Sequence, residues 1–456
     1  MKPVYPTIQC FIPDFEWENY LTDYKPRRKE KYIFAMHSIL FQSLRNKKQF
    51  SGFANLDSRL LIKMLGSNFY KGILRELIDA KIVEQPQKQS YSSGAFSKSY
   101  RINPTILNGT RLKTVPVSKQ TYCRKIAFAR EQMVKDAIDI NPLLQHEFLM
   151  LTHRTIDRER AEYYIRQTYD QNSEQFKSRL IAIREFDAMK DAKIEHGVYK
   201  LNFHFSYKGG RVYSPASMLP RDLEQFTDWD KTKFRDERSV AIDMPNSQLC
   251  FFNELVKVEH IGESIKEDIS MSIGTPLKGS NHTHNKPYYS TTPYVFHFSE
   301  TSSEWERYIF KGLGYERMMY LTQWKGKDSG WSKDERQEFK AEFFGQLFYN
   351  KYRDALTDME IAFMAHHEHE AKGLREIKKR LGNSLLAVQV QKLEGRFFHH
   401  IVVGYLKENY KDVPFTIKHD SVTMPESCAS YLIEEINSLA RKFFKRGDVQ
   451  LKAELL

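Results

Sequence analysis

No apolar run in this chain approaches the roughly 20 residues that a membrane-spanning helix requires, which argues against a helical membrane protein. Cysteine is scarce and scattered. Cys10, Cys123, Cys250 and Cys428 have no close partner in sequence, so they form neither a disulfide framework nor a zinc knuckle, and reduced, buried or incidental thiols are expected. There is no Walker-type glycine loop to support an ATPase or helicase, and no His-Glu-x-x-His spacing of a zinc hydrolase. The cluster Ala365-His366-His367-Glu368-His369-Glu370 lacks that spacing and reads as a charged, exposed helix face. His282 and His284 fall in a Gly-, Ser-, Thr-, His- and Pro-rich stretch, 270–300, that reads as a surface loop. No internal repeat is present. The first thirty residues carry Asp14, Glu16, Glu18 and Asp23 among aromatics, which does not fit a signal peptide, and a cytoplasmic location is expected.

What is present is an ordinary globular balance, 41% hydrophobic and 28% charged residues over 456 positions, enough for two or three domains with real cores. The net charge of +12 is unevenly placed. Residues 1–125 hold 22 Lys and Arg against 9 Asp and Glu, whereas the other 331 hold 48 against 49. The whole surplus therefore lies in the first quarter, which suits a grip on a polyanion, most simply DNA phosphates. A basic surface that only aids solubility is the alternative.

The same quarter carries a matching pattern. Ile33, Phe34, Met36, Ile39 and Leu40 recur at helical spacing, and a second apolar stretch runs from Leu56 through Leu60, Leu61 and Met64 to Leu65. Gly66-Ser67-Asn68 can turn the chain and cap the basic helix that begins at Phe69-Tyr70-Lys71 and continues past Arg75. Lys81-Ile82-Val83-Glu84 leads into a polar tip, Gln85 to Ser99, containing Gly94, and Tyr100-Arg101-Ile102-Asn103 returns as a strand. Short helix, tight turn, basic helix and wing resemble the winged helix of replication initiators and transcription regulators, many of which bind protein instead of DNA. Lys71, Arg75, Lys98 and Arg101 are its candidate DNA contacts. Residues 105–118 read as a linker closed by Val115-Pro116-Val117, and 119–190 as charged helices, Arg154 to Ile165 among them.

Four later segments carry chemistry through their order. In Gly209-Gly210-Arg211-Val212-Tyr213, glycines let the backbone approach a partner while the guanidinium forks onto phosphate; a plain hairpin turn is the alternative. In Ser239-Val240-Ala241-Ile242-Asp243, an apolar strand ends in an acid, followed by Ser247-Gln248. Such an acid needs a partner or a cation, unless it caps a helix. Arg336, Lys340, Phe344 and Phe348 fall at successive i, i+4 steps, two cations and then two aromatics on one helical stripe. That stripe could take a triphosphate and stack a base, or be an amphipathic core helix. Phe415-Thr416-Ile417-Lys418-His419-Asp420-Ser421-Val422-Thr423 reads as a hairpin with a carboxylate at its tip, or an ordinary Asp turn.

Together the segments resemble one superfamily, the family A DNA polymerases and the single-subunit RNA polymerases of phages and mitochondria. Its second motif, R-x3-K-x3-F-G-x-L-Y, is similar to Arg336 through Lys340, Phe344-Gly345 and Leu347-Phe348. Its third, a strand followed by His-Asp, is similar to His419-Asp420-Ser421, its first to Asp243 with Ser247-Gln248, and its G-R-x-Y element to Gly210-Arg211-Val212-Tyr213. All four stand in the family's order across roughly residues 205–425.

The resemblance implies an α+β right-hand polymerase (palm, fingers and thumb) preceded by a winged helix-turn-helix domain. Residues 1–115 would be the basic DNA-binding domain, 116–200 a helical thumb-like region, and 201–456 palm and fingers. It implies two Mg²⁺ ions, replaceable by Mn²⁺, on Asp243 and Asp420. Arg336 and Lys340 would bind the triphosphate and neutralise charge developing in transfer, and Phe344 and Phe348 would pack on the incoming nucleotide. Arg211, Tyr213, His419 and, on a helix, Gln391 would contact template and primer. The implied partners are a DNA template, a primer or nascent strand, and nucleoside triphosphates.

Two departures bear on the sugar. Leu249 and Cys250 follow Ser247-Gln248 where the DNA polymerases place a Glu that excludes the ribose 2′-hydroxyl, and Phe348 lacks the hydroxyl of the Tyr by which the RNA polymerases favour ribose. The lean is towards RNA or primer synthesis by a phage or mobile-element enzyme, with no room for a proofreading exonuclease before the palm. The rivals are a non-catalytic replication initiator or regulator with a polymerase-like body, against which the intact acids argue, and a template-independent nucleotidyltransferase.

Overall fold

The structure is a computed structural model that describes residues 7–22, 24–45, 52–56, 61, 62, 65–68, 70–86, 98–189, 204, 205, 210–230, 233–256 and 304–456. Leu60, Met64, Phe69, Gly94, Gly209 and the loop expected at 270–300, with His282 and His284, lie outside the described residues. The chain is mixed α and β. In order it forms β1 (Ile8–Pro13), α1 (Lys29–Arg45), β2 (Ala54–Asn55), α2 (Tyr70–Asp79), β3 (Val83–Glu84), β4 (Ser99–Ile102), α3 (Pro104–Gly109), β5 (Leu112–Val117), α4 (Gln120–Ile140), α5 (Leu144–Leu151), β6 (Arg154–Ile156), α6 (Arg158–Thr168) and α7 (Glu174–Asp187). Then come β7 (His204–Phe205), β8 (Val212–Tyr213), α8 (Pro215–Met218), β9 (Thr227–Trp229), β10 (Ser239–Asp243), α9 (Ser247–Val256), α10 (Glu304–Phe310), α11 (Gly314–Leu321) and α12 (Lys333–Phe343). The remainder is α13 (Asp358–His366), α14 (Glu368–Leu381), α15 (Asn383–Arg396), α16 (Val403–Asn409), β11 (Thr416–Lys418), β12 (Ser421–Pro425), α17 (Glu426–Phe444) and β13 (Lys452–Leu455).

Two compact units result, Met1–Asp136 with Thr152–His204 and Ser214–Asp236, and Ala137–Leu151 with Phe205–Tyr213 and Glu237–Leu456. In the first, α1 buries Ile33, Met36, Ile39 and Leu40 against Ile73, Leu74 and Leu77 of α2, the i, i+3, i+4 spacing that turns one helix face inward. Arg28 pairs with Glu76 of α2 at 2.9 Å, and the Tyr32 hydroxyl donates to the same carboxylate. A three-stranded sheet in the order β2-β4-β3 lies in the same unit, with Ala54 opposite Tyr100 and Val83 opposite Ile102. β1 pairs antiparallel with β5.

The helical reading of 119–190 is corrected at Arg154–Ile156. This segment is a strand, antiparallel to β9 with Arg154 opposite Trp229. Thr155 and Ile156 are β-branched, which favours the extended form, and Arg154 is held sideways by Glu224 at 2.6 Å. Asp157 then starts α6 by accepting the Arg160 N–H at 3.1 Å.

In the second unit four strands form an antiparallel sheet in the order β11-β12-β10-β13. Behind it Phe251 of α9, Phe310 of α10, Phe397, and Phe443 and Phe444 of α17 make one aromatic cluster with ring centroids 5.0–6.3 Å apart. Each fully buried Phe of this kind contributes about 1.5–3 kcal/mol of transfer free energy. Two π-helical turns interrupt the α-helices, at Phe344–Phe348 and Phe397–Val402.

The exposed-face reading of 365–370 is also corrected. α13 stops at His366, α14 begins at Glu368, and His367 and Glu370 are buried. The His367 ring lies 4.9 Å from Trp305 and 5.4 Å from Phe363, and burial lowers its imidazole to about 4. All four cysteines are buried and none is in a disulfide, and burial lifts the Cys10 thiol to about 12. Among the described residues no helix is long and apolar enough to cross a membrane.

Candidate active site

The sheet of the second unit brings the two sequence-predicted aspartates to the same end of its two central strands, β10 and β12. β10 is apolar and buried until Asp243, which is half-buried at its C-terminal end. β12 runs antiparallel beside it, with Asp243 directly opposite Ser421. Lys418 faces Ser421 across the hairpin, so His419 and Asp420 form a two-residue turn. Asp420 is thus the residue next to the strand partner of Asp243, and the Met244 N–H donates to the Asp420 carbonyl at 3.2 Å. On the other side of β10, Lys452 of β13 stands opposite Asp243, a cation the sequence reading did not anticipate.

The turn is tight. His419 takes a left-handed φ of 57°, a conformation that costs a non-glycine residue about 1–3 kcal/mol and that tends to cluster at functional sites. Its ring lies edge-on to Tyr213 of β8, with centroids 5.8 Å apart, so these two predicted template–primer contacts do come together.

Arg211 has a partner within the chain. Its Nε donates to Glu394 of α15 at 2.7 Å, and a terminal nitrogen lies 2.5 Å from the same oxygen. The glycine ahead of it serves this contact: Gly210 adopts φ 63°, and a Cβ placed on Gly395 would overlap the Gly210 carbonyl. The guanidinium expected to fork onto phosphate forks onto a buried carboxylate instead. Glu394 is completely buried, and its other oxygen lies 3.2 Å from the Ser247 hydroxyl, which in turn lies 2.9 Å from Asp420. Burial raises the Glu394 carboxyl to about 7, Arg211 opposes that rise, and the charge of Asp420 adds to it. The sequence signal for Glu394 was its position three residues after Gln391, one turn along the same helix face.

Arg336 and Lys340 lie on α12, which starts at a reciprocal cap. Ser332 Oγ accepts the Glu335 N–H at 3.1 Å and Glu335 accepts the Ser332 N–H at 2.8 Å. Arg336 pairs with Glu316 at 2.6 Å and donates to the Gly312 carbonyl at 3.4 Å. Both cations lie over the Tyr315 ring, 5.7 Å for Arg336 and 5.4 Å for Lys340. Burial pushes the Tyr315 phenol far above its usual range, with Arg336 opposing and Asp420 adding to the rise. Gly312 and Gly314 pack against Pro245 and Asn246. The Gly312–Tyr315 segment, which enters α11, therefore links α12 to the turn just after Asp243.

The stripe does not continue as an α-helix. From Phe344 the winding is π, and Phe344 and Phe348 are buried, 5.1 Å apart, in a cluster with Phe252 and Phe343. They still reach a small cleft, lined also by Gln248, Tyr349, Val390 and Gln391. Gln248 and Gln391 tie this cleft to Ser247 and Glu394 respectively. In the first unit Lys71 and Arg75 are exposed on α2 and Lys98 is exposed, whereas Arg101 pairs with Glu84 at 2.7 Å over the Phe53 ring.

No protein-family model and no curated protein matches the chain. Among solved structures, one described as "POL domain of Pol1 from M. smegmatis complex with DNA primer-template and dNTP" is similar over 87% of this chain and 77% of that chain, with TM-score 0.40 and 8% identity. At that level the site stands on its own geometry.

Proposed function

We propose that this chain is a template-directed nucleic-acid polymerase that transfers nucleotides at Asp243 and Asp420. The observation that carries the reading is the register of β10 and β12, which puts Asp243, at the end of one central strand, opposite Ser421, the neighbour of Asp420 in the adjoining turn; the Gly312–Tyr315 segment, which packs on the turn after Asp243, holds Arg336 and Lys340.

The donor set fits Mg²⁺. Among the described residues no cluster of three or more His, Cys, Asp or Glu could hold a metal alone, and Mg²⁺ is commonly held by one or two carboxylates with substrate phosphates and water completing its shell. Asp243 and Asp420 would hold the ions, which when bound lower the pKa of an attacking hydroxyl and offset charge on the leaving group. The chain's own residues do the rest. Arg336 and Lys340 present positive charge to a triphosphate, and Phe344, Phe348 and Gln391 would border the base, in a cleft of about 10 Å³ that must widen to admit it. Tyr213 and His419 border the strand terminus. Arg211 acts at one remove, by holding Glu394.

Ribonucleotide or primer synthesis fits better than DNA synthesis, because Leu249 and Cys250 are buried apolar residues where a sugar-excluding acid would stand. A DNA-binding winged helix in the first unit is supported by the order β2-β4-β3, the packing of α1 on α2, and the exposed Lys71 and Arg75.

Extension of a labelled primer–template with Mg²⁺, comparing deoxyribonucleotides with ribonucleotides, tests the reading. Templated product that disappears in Asp243→Asn and Asp420→Asn supports it. Absence of product with either sugar, primed or unprimed, moves the non-catalytic initiator ahead.

A further inference from the structure

The first unit contains a cavity of about 430 Å³ that the polymerase reading does not use. Its wall includes Arg111, Arg166, Gln171, Phe176, Lys177 and Arg184, four cations and no acid. A volume in the range of small-molecule sites with one sign of charge on its wall selects for an anion.

The cations are poorly neutralised. Lys177 of α7 is buried, and its ammonium donates to the Leu107 carbonyl at 2.5 Å; among the described residues no carboxylate lies within ion-pair distance of it. Asp170 and Glu174 are the acids whose fields reach it. Arg111, exposed ahead of β5, forms no ion pair among the described residues. Arg166 and Arg184 share one carboxylate, Glu162, at 3.4 and 3.1 Å, and Arg158 takes the same group at 2.7 Å. Arg158 also reaches Asp187 at 3.8 Å, so among the described residues Arg166 and Arg184 have a share in Glu162 alone, and with Arg111 and Lys177 they leave a surplus of positive charge at the cavity. Burying an ammonium against a carbonyl alone is expensive, and an incoming anion offsets that cost.

We propose that this cavity binds a phosphate group of nucleotide size, through Arg111, Arg166, Lys177 and Arg184. Guanidiniums match phosphate oxygens in forked, charge-assisted hydrogen bonds, and the Phe176 ring gives the same cavity an apolar wall for the attached group. The phosphate can belong to a free nucleotide or to the 5′ end of a strand.

The probe is inorganic pyrophosphate, titrated calorimetrically into the full chain in EDTA, so that metal-dependent binding at Asp243 and Asp420 is silent. Arg111→Ala and Arg166→Ala replace side chains at the surface, and their thermal unfolding serves as the check on folding. Each is expected to weaken binding about tenfold, the worth of one charge-assisted contact, while Lys340→Ala leaves it unchanged. Competition by a 5′-phosphorylated oligonucleotide but not by its 5′-hydroxyl counterpart identifies a strand end; competition by a free nucleoside diphosphate alone identifies a nucleotide. Failure of pyrophosphate to bind at millimolar concentration overturns the proposal. So does binding that survives both arginine substitutions and is lost in Lys340→Ala. Neither result touches the extension assay.

Discussion

Glu394 and Asp420 share one hydroxyl between them: the Ser247 oxygen lies 3.2 Å from Glu394 and 2.9 Å from Asp420. One hydroxyl hydrogen cannot serve two carboxylates. The arrangement is satisfied when Glu394 carries a proton and donates to Ser247, which donates to Asp420, and burial raises Glu394 to about 7, in the direction this requires. Arg211 completes the chain by donating to the other Glu394 oxygen.

Glu394→Gln can reproduce every link, its amide nitrogen donating to Ser247 and its oxygen accepting from Arg211. Extension activity is therefore expected to survive in Gln and to fall about 10–100-fold in Ala, the range for residues that orient metal-binding ligands. Above about pH 7 the wild-type carboxyl ionises and the chain weakens, whereas Gln has nothing to ionise and its rate profile stays flat there. For stability the sign is the same. A raised acid stabilises the fold below its ordinary value near 4.5 and loses that contribution as pH rises through about 7. Equal rates for Ala and wild type from pH 6 to 9 would remove Glu394 from the site.

Gly395→Ala tests the backbone contact beneath Arg211. The added methyl overlaps the Gly210 carbonyl, a backbone atom with little freedom to yield, so α15 and the Gly210–Arg211 segment must separate. Overpacking of this kind costs about 1–3 kcal/mol, enough to lower the urea midpoint and reduce extension together. Gly345→Ala, with open space around it, is the control and should change neither stability nor extension through a clash. Similar losses in both variants would mean the close approach is unimportant.

The strand ending in Asp243, the hairpin with its His419-Asp420 tip and the helix carrying Arg336 and Lys340 were readable because short-range rules specify them: an apolar run, turn residues, and i, i+4 spacing. What escaped reading depends on partners far away in sequence. Arg211 looked like a phosphate ligand because its carboxylate lies 183 residues on. Arg154 looked helical and solvated because Glu224, which permits its burial in a strand, belongs to another element. His367 looked exposed because Trp305 and Phe363 supply the apolar pocket around it. The π-winding at Phe344–Phe348 breaks the i, i+4 spacing without altering composition, so no periodicity could reveal it.

Two buried histidines make acid sensitivity a property of both units. His37 of α1 accepts the Phe11 N–H at 3.2 Å, and burial lowers it to about 3, while His367 falls to about 4. Between the ordinary value of 6.5 and those depressed values, the unfolded chain binds protons that the folded chain refuses. Stability is therefore full above 6.5 and is lost as pH falls, by up to about 1.4 kcal/mol per pH unit for each group. Urea unfolding at pH 7.5 and 5.0 measures the slope, which should shrink in a folded His37→Gln variant. An unchanged slope would show that His37 titrates normally in the folded chain.

The Arg154–Glu224 pair tests how the first unit tolerates charge in its core. Both side chains are almost fully buried, 2.6 Å apart, and Arg154 also donates to Thr227 at 2.9 Å beneath the Trp229 ring. Removing one partner strands the other as an uncompensated charge, which costs about 3–5 kcal/mol, whereas replacing both with apolar groups of similar volume removes the desolvation penalty along with the attraction. Arg154→Met and Glu224→Leu are each expected to lower stability by that amount, and the double variant to recover most of it. The recovery follows from the sign of the desolvation term. If the pair were held mainly by its Coulomb attraction, the double variant would be as unstable as either single one, and the measured coupling in a urea-unfolding cycle decides between the two.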